Sequence, residues 1–129
     1  MAGTYTTIAE QRSLDWLFTT GAPTRPTTWY VSLHTGANGG AGAANELSGN
    51  GYARQAVTFT RSGQTVSNNA LITFGPNTTT NWGTVTDACV WDSLTTGTCL
   101  AQGTLTSSVA YAVGDSATIA AGALTISLT

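Results

Sequence analysis

The 129-residue sequence contains very little charge. Charged residues make up 8% of it, against about 25% in a typical soluble domain. The chain has no lysine, and its net charge is -2. Its basic residues are Arg12, Arg25, Arg54 and Arg61. Because it lacks a basic stripe that could neutralise phosphates or anionic lipid, we expect no direct nucleic-acid partner and no membrane partner.

Long apolar runs are also missing. No segment approaches the ~20 consecutive apolar residues of a membrane span, and the first residues lack the basic and apolar regions of a signal peptide. We therefore expect the chain to be made and kept in a cytoplasm. Its two cysteines, Cys89 and Cys99, flank a predicted turn. A reducing cytoplasm predicts two free, partly buried thiols, with a cross-strand disulfide as the alternative.

Clusters of reactive side chains are absent from the sequence as well. The single histidine, His34, is predicted on the polar, half-exposed side of a strand, and neighbouring Ser32 lacks a nucleophile-elbow context. Asp92 and Asp115 fall in turns, where aspartate commonly caps its own backbone. The cysteines and histidine match no zinc spacing, and no calcium or phosphate loop is present. We predict that the chain has no catalytic residue, binds no metal and no cofactor, and is not an enzyme.

The polar positions are filled by threonine, serine, asparagine and glutamine, and there are 15 glycines. Threonine is β-branched and suits a pleated, half-buried surface. Apolar residues alternate along several segments separated by turn signals, and residues 88–91 are apolar on both faces, as in a central strand. The pattern predicts an all-β fold: an antiparallel β-sandwich or jelly roll of about seven or eight short strands, in a single domain spanning residues 1–129.

One short helix is predicted near the start, over residues 7–19 within an N-terminal arm of approximately 1–22. Thr7 and Glu10 have capping-box spacing, and Gly21 is placed to end the helix. Its apolar stripe consists of Leu14, Leu17 and Phe18. A helix of this length is not stable alone, so we expect it to dock on the sheet or on a neighbouring subunit. Trp16 falls off the stripe and is available for a second surface.

The glycine-rich segment 36–51 is predicted to be a long, flexible loop, which is commonly functional or ordered by a partner. Glu46 could pair with Arg54 on the following strand. Tyr30 and Tyr52 are expected on outer or edge faces, whereas the core should contain Trp29 and one of Trp82 or Trp91. The predicted protein-interface residues are Trp16, Tyr30, Glu46, Tyr52 and Arg54. The alternative role of the aromatic residues is a sugar-stacking platform.

Several segments resemble, in order, a group of small tailed-bacteriophage virion proteins. They are WYVSLHT (29–35), NELSGNGYARQ (45–55), NN leading to ITF (68–74), WGTVT (82–86) and AGALT (121–125). Proteins of this group are variously labelled capsid decoration or cement, head fibre, or tail fibre proteins. Residues 87–91 depart from the resemblance, since they carry cysteine and tryptophan where small or aliphatic residues are expected.

The resemblance implies a non-enzymatic virion component assembled in the bacterial host cytoplasm. A compact, weakly charged domain favours a capsid cement or decoration protein, because many modest contacts repeated over a shell give high avidity. The expected partner is then the major capsid protein, or alternatively tail proteins, and the chain is expected to be a homo-oligomer. The other functions considered are a tail fibre or receptor-binding tail component, and a carbohydrate-binding module.

Overall fold

A computed structural model describes residues 1–128, so that Thr129 lies outside the described part of the predicted domain. The all-β class with one short helix is confirmed. In chain order the elements are β1 (Ala2–Tyr5), α1 (Thr7–Phe18), β2 (Trp29–His34), β3 (Gln55–Val57), β4 (Phe59–Ser62), β5 (Thr65–Asn68), β6 (Ile72–Phe74), β7 (Gly83–Trp91), β8 (Cys99–Tyr111), β9 (Ala117–Ile119) and β10 (Thr125–Ser127). No helix in this range is long and apolar enough to cross a membrane.

Eight strands form one sheet in the order β3-β2-β7-β8-β1-β10-β5-β4, and β6 pairs with β9 in a second, small sheet. The edge strands β3 and β4 are consecutive in the chain, with only Thr58 between them. The sheet must therefore curl until its two edges approach each other, which makes it nearly barrel-shaped. One pair departs from the antiparallel prediction: β1 and β10 run parallel.

The first strand was not predicted, because its four residues carry no clear alternation of apolar and polar side chains. It lies between β8 and β10, and the amino group of Met1 donates to the Ala123 carbonyl at 2.6 Å. Gly103 on β8 allows this approach, since a Cβ there would come within 2.6 Å of the Ala2 carbonyl oxygen. Residues 2–5 of the predicted arm are thus part of the main sheet.

The core fills the interior of the curled sheet. Alternation along residues 70–74 predicts that Ile72 and Phe74 point inward, and both are buried. Leu124 is fully buried in the same core cluster, to which both sheets contribute residues. Residues 88–91 of β7 are buried on both faces, which confirms the prediction of a central strand. The apolar pattern, which the serines at 107 and 108 interrupt, predicts separate strands over residues 99–106 and 109–113. Backbone pairing instead continues through the serines, so that β8 is one strand over residues 99–111.

The N-cap of the helix lies one residue before the predicted one, while the helix itself begins at Thr7 as predicted. The hydroxyl of Thr6 accepts a hydrogen bond from the Ala9 backbone N–H at 3.4 Å, so Thr6 is the N-cap and no capping box forms between Thr7 and Glu10. The Thr6 hydroxyl also donates to the Cys99 carbonyl at 2.7 Å, which ties the start of α1 to β8. Asp92 and Asp115 cap turns as predicted, by accepting from backbone N–H groups.

Replacing Leu124 by alanine should lower the free energy of unfolding by about 2–5 kcal/mol, because it removes a fully buried side chain and leaves a cavity. The matched control is Leu71→Ala, since Leu71 is 63% exposed; it should change stability by less than about 1 kcal/mol. Denaturant unfolding followed by tryptophan fluorescence measures both. Equal effects of the two substitutions would contradict this description of the core.

Candidate functional site

The loop 36–51 packs on the outer face of β2 and β7, so the prediction of a flexible loop is wrong. Its Asn38 is buried, and the side-chain amide donates to the Ala88 carbonyl at 3.1 Å. A β-bridge joins His34 to Glu46 near the loop's end. The physical reason is that this face of the sheet carries polar and sulfur-containing side chains, whose burial requires hydrogen-bond partners that the loop provides.

Gly42 brings the loop backbone into close contact with the sheet. Its φ is +80°, and a Cβ there would lie 2.6 Å from Cys99 Sγ and 3.3 Å from Cys89 Sγ. Only glycine combines this backbone conformation with so close an approach. The glycines of the segment, which indicated flexibility in the sequence, therefore include one that fixes the loop against the sheet.

A chain of hydrogen bonds runs beneath the loop. Trp91 Nε1 donates to Ser32 Oγ at 2.7 Å, and Ser32 Oγ lies 2.7 Å from His34 Nε2. His34 Nδ1 lies 2.7 Å from the carbonyl oxygen of Ala44. Because a carbonyl can only accept, His34 Nδ1–H donates to Ala44. The serine hydroxyl accepts from the indole, and the direction of its hydrogen bond with Nε2 follows the protonation state of the imidazole.

The prediction that His34 is half-exposed is wrong, since both His34 and Ser32 are 0% exposed. The two side chains have the separation of a nucleophile and its general base. However, the second imidazole nitrogen binds a backbone carbonyl instead of an orienting carboxylate, and the loop covers the pair. Within residues 1–128, no group of three or more histidine, cysteine or acidic residues is placed to hold a metal ion.

Both cysteines are free thiols, as predicted, and both are fully buried where partial burial was expected. The amide of Asn38 donates to Cys89 Sγ at 2.8 Å, and this thiol donates to the Gly42 carbonyl at 3.5 Å. A hydrogen bond with Cys99, together with burial, raises the pKa of the Cys89 thiol. A neutral, covered thiol of this kind is a poor nucleophile.

Glu46 and Arg54 form the predicted ion pair, and it is mostly buried. Arg54 Nε and Nη2 donate to the two carboxylate oxygens at 2.8 and 2.9 Å. The guanidinium lies 3.8 Å from the centroid of the Trp91 ring and also donates to the carbonyls of Ser93 and Thr96. Burial opposes the charge of Glu46, but Arg54 outweighs it and holds the pKa of Glu46 below its ordinary value.

Tyr52 was expected on an outer or edge face, and that expectation is wrong. Its ring packs against Phe74 and Trp82, with centroids 6.2 and 6.0 Å apart. Its hydroxyl accepts from the Leu33 backbone N–H and donates to Glu46 Oε1, both at 3.1 Å. Burial raises the pKa of Tyr52. Three predicted interface residues, Glu46, Tyr52 and Arg54, are thus joined in one intramolecular network.

The structure agrees with the predicted burial of the other aromatic residues only in part. Trp82 and Trp91 are both buried, where only one of them was expected in the core, and Trp29 and Tyr30 are partly buried. The role of Ser32, Asn38 and the two cysteines in the contact between the loop and the sheet was not predicted. The available signal was the apolar character of residues 88–91 on both faces, which requires a cover on the second face of the sheet.

The apolar stripe of α1 does not dock on the sheet, although that was one of the two expectations for it. Among the helix residues Ala9 is buried, on the side turned away from Leu14 and Phe18. Leu14, Leu17 and Phe18 are 58%, 69% and 78% exposed. We call these three residues the ridge. The sheet accepts the small side chain of Ala9 because α1 is tied close to β8 at Thr6, and the bulkier stripe is turned outward.

Beside the ridge lies an apolar groove of about 600 Å³ between α1, the segment that follows it, and the sheet. Trp16 faces this groove and is 61% exposed, so the ring predicted to serve a second surface lies on the sheet side of the helix. The groove walls include Trp16, Leu17, Pro23, Trp29, Phe59 and Leu128. The ridge and the groove together form a continuous apolar surface.

The fold and this surface define a class. It is a small all-β protein whose histidine and cysteines are enclosed by internal hydrogen bonds and whose single helix exposes an apolar face. Over residues 4–127 the chain matches the family model described as Podophage GP4 fiber I protein gp80. The chain therefore belongs to this family of phage virion fibre proteins, which confirms the resemblance found in the sequence. No curated protein matches the chain.

Substituting Gly42 by alanine should detach the loop and expose the thiols, because the new methyl group collides with Cys99. The control is Gly49→Ala: Gly49 also has a positive φ, +66°, but no atom within 4 Å of a Cβ. Both variants incur the backbone cost of about 1–2 kcal/mol, and only the first adds a collision. Ellman's reagent should react faster with native Gly42→Ala than with Gly49→Ala or the unsubstituted chain. Equal thiol reactivity in all three proteins would refute the assigned packing.

The Glu46–Arg54 pair should make stability depend on acid pH. Because the pKa of Glu46 is lowered on folding, its contribution is fully present above its ordinary value of 4.5 and is lost as the pH falls through the lower value in the folded state. Glu46→Gln should cost about 1–3 kcal/mol at pH 7 and flatten this acid dependence. Urea unfolding between pH 3 and 7 measures it, with the exposed Glu10→Gln as control. An unchanged acid profile in Glu46→Gln would contradict the prediction.

Proposed function

We propose that the chain is a non-enzymatic structural component of a tailed-phage particle, a fibre subunit that acts through protein–protein contacts. The observation that carries this proposal is the pairing of family membership over residues 4–127 with the uncovered apolar ridge on α1. Contiguous exposed apolar surface on a small protein commonly marks an interaction site. A virion subunit, which functions packed against other chains, has such surface covered in its working state.

The enclosed chemistry supports a non-enzymatic role. The Ser32–His34 pair is buried, its imidazole is oriented by a backbone carbonyl, and Cys89 is a neutral, covered thiol. These groups stabilise the loop–sheet contact by satisfying one another. Two buried free thiols are also compatible with assembly in the reducing cytoplasm of a bacterial host.

A capsid cement or decoration protein is the second candidate. Its support is the curled sheet, in which residues 1–5 and 123–127 meet. Such a domain could occupy many separate binding sites on the major capsid protein of one shell. A sugar-stacking platform has less support, because Trp82 and Trp91 are buried and cannot present a flat face to a glycan.

The particle itself tests the proposal. Mass spectrometry of purified particles with labelled peptide standards should detect the chain at up to about a few dozen copies, and antibody-gold labelling should place it on a fibre. Hundreds of copies distributed over the head would instead establish the cement role. Complete absence from purified particles that retain infectivity would refute both structural roles.

A further inference from the structure

The ridge and the groove have complementary charges as well as complementary shapes. Glu10 lies one turn before Leu14 on the helix, and Asp15 lies one turn before Phe18, so acidic side chains border the ridge. The groove is lined by two basic side chains, Arg12 and Arg25. Among residues 1–128, Arg12 pairs with Asp92 at 3.6 Å, whereas Glu10, Asp15 and Arg25 form no ion pair.

We propose that the ridge and the groove are a self-association site, and that its occupant is a second copy of this chain. The two surfaces share Leu17 and lie side by side. Two copies related by a two-fold axis can therefore each insert the ridge into the partner's groove, in a closed, isologous contact. The acidic side chains that border each ridge then approach the partner's Arg25. This inference concerns the purified chain and goes beyond its role in the particle.

The exposed area is a large part of what such a dimer needs. Large aromatic side chains bury about 150–250 Å² each when covered. With exposures of 78% and 61%, Phe18 and Trp16 together leave about 200–350 Å² uncovered. Leu14, Leu17 and the remaining groove walls add to this area, which brings it toward the roughly 800 Å² per partner that a stable interface buries.

The position of the ridge also restricts the geometry. All three ridge residues lie in the C-terminal half of α1. An antiparallel pair of helices in register would set Leu14 against the partner's Gln11 and Phe18 against the partner's Thr7, and would leave both grooves empty. Exchange of ridges into grooves instead covers apolar surface with apolar surface in both copies.

Sedimentation velocity on the purified chain tests the proposal. The unsubstituted protein should dimerise at micromolar concentrations, and the double variant Leu14→Ser, Phe18→Ser should dissociate at least about tenfold more readily. The control is Leu71→Ser, because Leu71 is similarly exposed but belongs neither to the ridge nor to the groove lining; its dimerisation should be unchanged. Far-ultraviolet circular dichroism identifies any variant that fails to fold.

A charge-exchange experiment distinguishes a second copy from any other occupant. Arg25→Glu and the double variant Glu10→Arg, Asp15→Arg should each be monomeric, because each puts like charges at both contacts. Mixed together they should form a heterodimer, because both contacts then join opposite charges. A monomeric unsubstituted chain, or a dimer unaffected by the ridge substitutions, overturns the inference. If the unsubstituted chain is monomeric but is found in particles, the self-association proposal fails and the structural role stands. The ridge then binds another virion protein.

Discussion

Residues 88–91 of β7 bury side chains on both faces of the sheet, so the chain must cover the sheet twice at this point. The curled interior covers one face with aliphatic and aromatic side chains. The loop 36–51 covers the other face, and it contributes few large apolar side chains because it is rich in glycine and asparagine. Its contribution is hydrogen bonding and close backbone approach. The indole-to-serine-to-imidazole chain, the buried thiols and the Glu46–Arg54 pair all exist because this second cover is polar.

The sequence predicted the parts of the fold that depend on local pattern. Alternation identified the inward residues Ile72 and Phe74, turn chemistry identified Asp92 and Asp115 as caps, and spacing identified the Glu46–Arg54 pair. Strand β1 was missed because its pairing with β8 and β10 joins distant parts of the chain. Such pairing leaves no local periodicity by which four residues could be recognised.

The candidate site was less predictable, because its geometry depends on which side of each element faces the sheet. The helix pattern located the apolar stripe correctly, but docking is decided by the distance between α1 and β8, which admits Ala9 and excludes leucine. In the same way, an alternating strand places His34 opposite the core, yet only the folded loop shows that this face is covered. The glycine content of residues 36–51 indicated conformational freedom. At Gly42, however, the absence of a side chain allows the loop backbone to contact the sheet.

The pairing of residues 2–5 with residues 99–111 and 125–127 has a consequence for timing. The main sheet remains open until residue 127 has left the ribosome, and Ile126 and Leu128 are themselves walls of the groove beside α1. A nascent chain therefore carries its helix from the start but lacks the surface that would receive a neighbouring one. In the proposed self-association, a chain can accept a second copy only after residues 126–128 have been synthesised, so incomplete chains on one messenger RNA would not bind one another.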